Sequence, residues 1–154
     1  EISDIKKMTI WGNHSPTMYP DLDNAEIKGE SASGWINDQN WIESDFLRIV
    51  QQRGKAIIDA RGASSATSAA NAAIDTVKAT IKETPADDWF SAAVLSDGSY
   101  NVPEGLIFGF PLKADASGKV SIVQDLPISD YAQEKINLTT QELLDEKNDI
   151  KELL

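Results

Sequence analysis

The spacing of apolar residues changes three times along this chain, and each change marks a change of element. The first stretch has a short period: Met8 to Trp11 is an apolar run stopped by Gly12, which predicts a strand. A single helical turn capped by Ser3 leads into it. Gly12 to Asn24 is crowded with Pro, Asn, Asp and Ser and reads as turns, and Ala25 to Ser33 reads as a polar, exposed strand ended by Gly34. From Ser44 the period lengthens. Phe46, Ile49, Val50 and Ile57 fall on one helical face with Ser44 as N-cap, and Arg53 lands on that same face. Gly62 interrupts, and Ser64 or Ser65 caps a second helix whose stripe is Ala66, Ala70, Ala73, Ile74, Val77 and Ile81. Side chains this small let another helix approach closely, within the domain or across a subunit boundary.

Beyond Pro85 the period becomes that of sheet. Trp89 to Leu95 is predicted as a strand followed by a turn at Asp97-Gly98. Leu106 to Leu112 and Lys119 to Gln124 flank Asp115 to Gly118 as a hairpin, and Pro127 closes the region. Asp130 then caps a last helix, with Gln133 completing a capping box. That helix runs to Leu154, with Ile136, Leu143, Leu144, Ile150 and Leu154 on its apolar side. Strands and helices segregate along the sequence, so the expected class is α+β: one domain over residues 1–154, an antiparallel sheet packed against long helices.

Composition narrows the function. A chain of 154 residues that is 41% hydrophobic suits one domain with a real core. No apolar run approaches the roughly 20 residues that a membrane span needs. Cysteine is absent, which removes disulfides and zinc-thiolate sites and fits a reducing compartment. A net charge of -11 opposes nucleic acid and anionic lipid, which recruit Lys/Arg clusters. The only arginines are Arg48, Arg53 and Arg61. The first residue is Glu1, with no initiator methionine, so the chain is expected to be an excised portion of a longer one.

Candidate chemistry is sparse. The 9 glycines form no G-x-G-x-x-G or P-loop, and there is neither a G-x-S-x-G elbow nor a histidine pair for a metal. Asp21-x-Asp23-Asn24 has the spacing that opens a calcium loop, but the glycine and terminal glutamate such a loop requires are replaced by Glu26 and Ala32. A solvated acidic turn is expected there. What remains is His14, the only histidine, at the mouth of a turn between Asn13 and Ser15. An imidazole near its ordinary titration range takes and returns protons, and the polar neighbours offer hydrogen bonds to a ligand or to the loop itself.

The stretch Ile10 to Asp21, I-W-G-N-H-S-P-T-M-Y-P-D, resembles the histidine loop of the cytosolic-type NAD-dependent malate dehydrogenases, I-W-G-N-H-S-S-T-x-Y-P-D. Further segments resemble that family in the same order: Q-Q-R-G-K-A-I-I-D-A-R at Gln51 to Arg61, S-S-A-T-S-A-A at Ser64 to Ala70, S-D-G-S-Y-N-V-P at Ser96 to Pro103, F-G-F-P at Phe108 to Pro111 and L-P-I-S-D at Leu126 to Asp130. The resemblance covers nearly the whole chain. Pro16 stands where the family more often has serine.

The resemblance implies the fold of the lactate/malate dehydrogenase C-terminal domain. It makes His14 the proton acceptor and donor in the interconversion of malate and oxaloacetate, with hydride passing between C2 and the nicotinamide of NAD. Ser64 and Asn13 become candidate substrate contacts. Arg53 and Arg61 stay structural or interfacial, because the family's substrate arginines precede this region. So do the aspartate that orients the histidine and the dinucleotide-binding domain, so the chain alone is expected to be inactive. The implied partners are malate or oxaloacetate, the protein's own N-terminal domain and a second copy in a cytoplasmic homodimer, with no nucleic acid and no membrane. The alternative is a non-catalytic domain that keeps this fold and dimerises through its helices.

Overall fold

The computed structural model describes residues 1–153. All its strand pairings are antiparallel and form three small sheets: β1 (Ile5–Lys6), β4 (Glu26–Ile27) and β5 (Glu30–Ser31); β2 (Thr9–Trp11) with β3 (Tyr19–Asp21); and β6 (Phe90–Leu95), β7 (Ile107–Ala114) and β8 (Val120–Ile122). Helices α1 (Ala32–Ile36), α2 (Gln39–Trp41), α3 (Leu47–Arg61), α4 (Thr67–Ile81) and α5 (Asp130–Asp149) complete it. This is the expected α+β class, with antiparallel sheet against long helices.

The core forms where β7 meets β2 and α5. Trp11, Val102, Phe108, Phe110, Leu112 and Ile136 are fully buried there. Trp11 sits edge-on to Tyr100 with ring centroids 4.8 Å apart, an arrangement the ring quadrupoles favour. A smaller cluster of Leu22, Ala25, Ala32 and Ile42 lies under the β4–β5 hairpin.

Several local expectations are corrected. The segment from Gly12 to Asn24 holds strand β3, paired with β2 through Thr9↔Asp21 and Trp11↔Tyr19. The exposed strand from Ala25 to Ser33 is a hairpin. Lys28 (φ 55°) and Gly29 (φ 81°) both turn left-handed, as a tight two-residue connection requires, and Ala25 and Ala32 are buried. The helix expected from Ser44 begins earlier. The Asp38 carboxylate accepts from Trp41 N–H at 2.9 Å, and α2 runs through a π-helical turn, Ile42–Phe46, into α3. Ser44 lies within that turn, and its hydroxyl donates to the Asn40 carbonyl.

Neither Ser64 nor Ser65 caps α4. Its N-cap is Ala66, at φ 44°, with no side-chain bond, and Ser65 Oγ instead accepts from the Ser68 hydroxyl. The cap of α5 is Ser129, accepting from Ala132 N–H at 3.2 Å, one residue before the expected Asp130. α5 ends at Asp149, followed by a 3-10 turn at Lys151–Leu153, and Ile150 is exposed. Leu154, assigned to its apolar side from the sequence, lies outside the described residues. Among the described residues nothing covers the alanine stripe of α4: no residue of α3 or α4 is buried, and Ile49, Ile58, Ile74, Val77 and Ile81 are exposed.

Candidate active site

His14 sits on the loop joining β2 to β3, and the elements on either side of that loop fix its two ends. On one side Trp11 is sealed in the core, with its indole N–H donating to Asp21 Oδ2 at 3.0 Å. Asp21 also accepts from the backbone N–H groups of Asp23 (3.0 Å) and Asn24 (3.1 Å) and from Asn24 Nδ2 (2.9 Å). The sequence placed Asp21 in a solvated turn. It is fully buried, because four donors replace its water.

Gly12 comes next. It exchanges backbone hydrogen bonds with Gly109 of β7, Gly12 N–H to O at 3.3 Å and Gly109 N–H to O at 3.0 Å, which hold the loop's start against the central strand. Gly12 lies at φ +97°, and a Cβ there would fall 2.2 Å from Thr139 Cγ2. A Cβ on Gly109 would fall 2.6 Å from the Ile10 carbonyl oxygen. Both positions therefore need glycine for the strand, the loop and α5 to meet.

The rest of the loop is bonded to α5. Asn13 N–H donates to Thr139 Oγ1 (2.9 Å), and Asn13 Nδ2 donates to Glu142 Oε2 (3.1 Å) and Glu146 Oε1 (3.0 Å). Ser15 Oγ donates to Glu142 Oε2 at 2.5 Å. Thr17 Oγ1 lies 2.7 Å from Glu142 Oε2 and 2.9 Å from Thr139 Oγ1. Burial acts to raise the Glu142 carboxyl, but the hydrogen bonds from Ser15, Thr17 and Asn13 outweigh it and hold the group below its ordinary range.

The His14 side chain is exposed, and among the described residues it has no hydrogen-bond partner. It opens onto a cleft of about 480 Å³ whose wall includes Ile10, Met18, Ala72 of α4, and Ala92 and Ala93 of β6. Asn13 shares that wall. Ser64 is exposed and outside it, so among the described residues the cleft joins His14 to Asn13 but leaves Ser64 apart. The arginines are elsewhere too: Arg48 pairs with Asp45 at 2.9 Å, Arg61 reaches the Ser65 carbonyl at 3.4 Å, and Arg53 is exposed. An imidazole over an apolar pocket can exchange a proton with a bound hydroxyl or carbonyl oxygen that the pocket shields from water.

The sequence reading missed Thr139, Glu142 and Glu146, and it missed Gly109. A signal existed for each. The three helix residues follow one another at steps of three and four, which puts them on one face of α5. Gly109 interrupts an otherwise bulky strand, the usual mark of close backbone approach.

This fold is that of the lactate/malate dehydrogenase C-terminal domain. The profile of the lactate/malate dehydrogenase, alpha/beta C-terminal domain family matches residues 2–154, and the chain belongs to that family. The crystal structure of malate dehydrogenase from Naegleria fowleri superposes with a TM-score of 0.90 at 42% identity, covering 100% of this chain and 47% of that one. Lactate dehydrogenase of Trichomonas vaginalis, in complex with NADH and oxamate, gives a TM-score of 0.87 at 28% identity, covering 96% of this chain and 46% of that one. Malate dehydrogenase of Salinibacter ruber, at 21% identity and a TM-score of 0.78, shares the fold; 99% of this chain matches 48% of that one. The chain thus spans about half the length of these relatives.

Proposed function

We propose that this chain is the substrate half of a cytosolic-type, NAD-dependent malate dehydrogenase and that His14 is its proton acceptor and donor. The observation that carries the reading is geometric: a single imidazole, on a loop fastened at both ends, faces an apolar cleft large enough for a four-carbon diacid beside a flat ring. The higher identity to a malate dehydrogenase (42%) than to a lactate dehydrogenase (28%) supports malate and oxaloacetate as the substrate pair.

The residues present fit one end of the cofactor. The Ile10, Met18, Ala72, Ala92 and Ala93 wall suits the face of a nicotinamide ring, while neither arginine nor lysine lines the cleft to meet a pyrophosphate. Binding of the phosphates therefore falls to a dinucleotide-binding domain supplied by the same polypeptide. When bound, NAD supplies the hydride acceptor, or NADH the donor. His14 takes the proton from the malate hydroxyl in one direction and returns it to the oxaloacetate carbonyl oxygen in the other. Of the two candidate contacts, Asn13 shares the cleft and Ser64 does not, and the bonds of Asn13 to α5 make it a support of the loop as well.

The exposed apolar residues of α3 and α4 support two further partners, the N-terminal domain and a second copy in a homodimer. The resemblance to cytosolic-type enzymes supports a cytoplasmic setting. The isolated chain is expected to show no turnover with malate and NAD.

The test is His14→Asn in the complete enzyme. A loss of roughly 100- to 10,000-fold in kcat is expected. Retention of wild-type turnover would defeat the reading in favour of a non-catalytic, dimerising domain.

A further inference from the structure

We infer that Glu142 is a positioning residue for His14: one carboxylate on α5 fixes the loop that carries the imidazole, whichever group orients the ring itself. This rests on the reading of His14 as the proton shuttle. The His14 side chain is exposed and bonded to none of the described residues, so within this chain its place is inherited from its neighbours. Three of those neighbours, Asn13, Ser15 and Thr17, send side-chain groups to a single oxygen, Glu142 Oε2, at 3.1, 2.5 and 2.7 Å.

The geometry brackets the histidine. Asn13 precedes it, Ser15 and Thr17 follow it, and the intervening Pro16 has its own φ fixed by the ring. The Thr17 backbone N–H adds a bond to Ser15 Oγ at 3.0 Å, closing the loop on itself. An ionised carboxylate accepts several donors at once and binds each more strongly than a neutral oxygen does. Loss of Glu142 therefore loosens both flanks of His14 together: Ser15 loses its bond to α5, while Asn13 keeps Thr139 and Glu146 and Thr17 keeps Thr139.

α5 is also held on the domain by apolar contacts that Glu142 does not make. Ala132 and Ile136 are buried in the core, with Leu143 and Leu144 packed against it, and these contacts persist when Glu142 is replaced. A positioning role and a purely structural role are thus separable.

The experiment compares Glu142→Ala, Glu142→Gln and His14→Asn in the complete enzyme, by steady-state kinetics and by hydrogen exchange over residues 12–17. Glu142→Ala is expected to lower kcat by roughly 10- to 100-fold, the penalty for misplacing a catalytic group by about 1 Å. KM for oxaloacetate should change less than about threefold, since Asn13 keeps its bonds to Thr139 and Glu146 and the cleft wall is untouched. Glu142→Gln, which keeps one acceptor oxygen, should recover part of the lost kcat. Amides of the loop should exchange faster in Glu142→Ala while those of β7 do not. Unchanged kcat and unchanged exchange would overturn the inference, as would a rise in KM at constant kcat. Should Glu142→Ala fail to fold, Glu142→Gln and Ser15→Ala decide, and wild-type kcat in both would overturn it. Loop exchange is read independently of turnover. A His14→Asn enzyme that stays active therefore removes the functional reading, whereas normal exchange in Glu142→Ala removes only this one.

Discussion

Single residues set this site as much by what they lack as by what they offer. At Gly12 the backbone is left-handed and Thr139 occupies the space of a side chain. Gly12→Ala is therefore expected to destabilise the fold by about 2 kcal/mol or more, since strain at one such position costs of order 1–3 kcal/mol before any steric overlap. A urea denaturation midpoint measures it, and an unchanged midpoint would contradict the packing described. Asp21 is the opposite case, a buried charge satisfied by four donors. Asp21→Ala leaves the Trp11 indole N–H unpaired and should cost about 1–3 kcal/mol or more by the same assay.

Glu142 adds a dependence on pH. Its folded carboxyl lies below its ordinary value of 4.5, so its contribution to stability is complete above that value. The contribution is lost as pH falls through the lower, folded value. Glu146, which shares the Asn13 amide with it, is the neighbouring acid. Denaturation from pH 7 down to the acid limit should show wild type losing stability faster than Glu142→Gln. Parallel curves would refute the assignment.

At the scale of elements, legibility followed chemistry. Strands β6 and β7 and the hairpin to β8 were visible because bulky residues run between clear turn formers such as Asp97-Gly98 and Asp115 to Gly118. Strand β3 was hidden because Tyr19-Pro20-Asp21 is written in turn residues; it is a strand only because Trp11 supplies the indole N–H for Asp21 and pairs across from Tyr19. The π-helical turn at Ile42–Phe46 hid the true start of the long helix, since one extra residue in a turn shifts the face that a regular period would assign. His14 was legible from its loop. The spacing of its supports marked one face of α5 but not that this face meets the loop, because they lie about 125 residues away and only the folded chain brings them near.

The alanine stripe of α4 was read correctly as an element and left unpaired by the fold. Val77→Asp is expected to leave the unfolding midpoint nearly unchanged, since Val77 is 58% exposed, while weakening the proposed self-association in sedimentation velocity. Wild-type association would remove α4 from the interface.

For the molecule as a whole, order of synthesis follows from the distance between the loop and its fastening. Ribosomes deliver the amino end first, so β2, β3 and the histidine between them emerge long before residues 139–146. Until those turns leave the exit tunnel, the loop around His14 lacks its bonds to Thr139, Glu142 and Glu146. A nascent polypeptide can thus present the histidine loop well before α5 exists to fasten it.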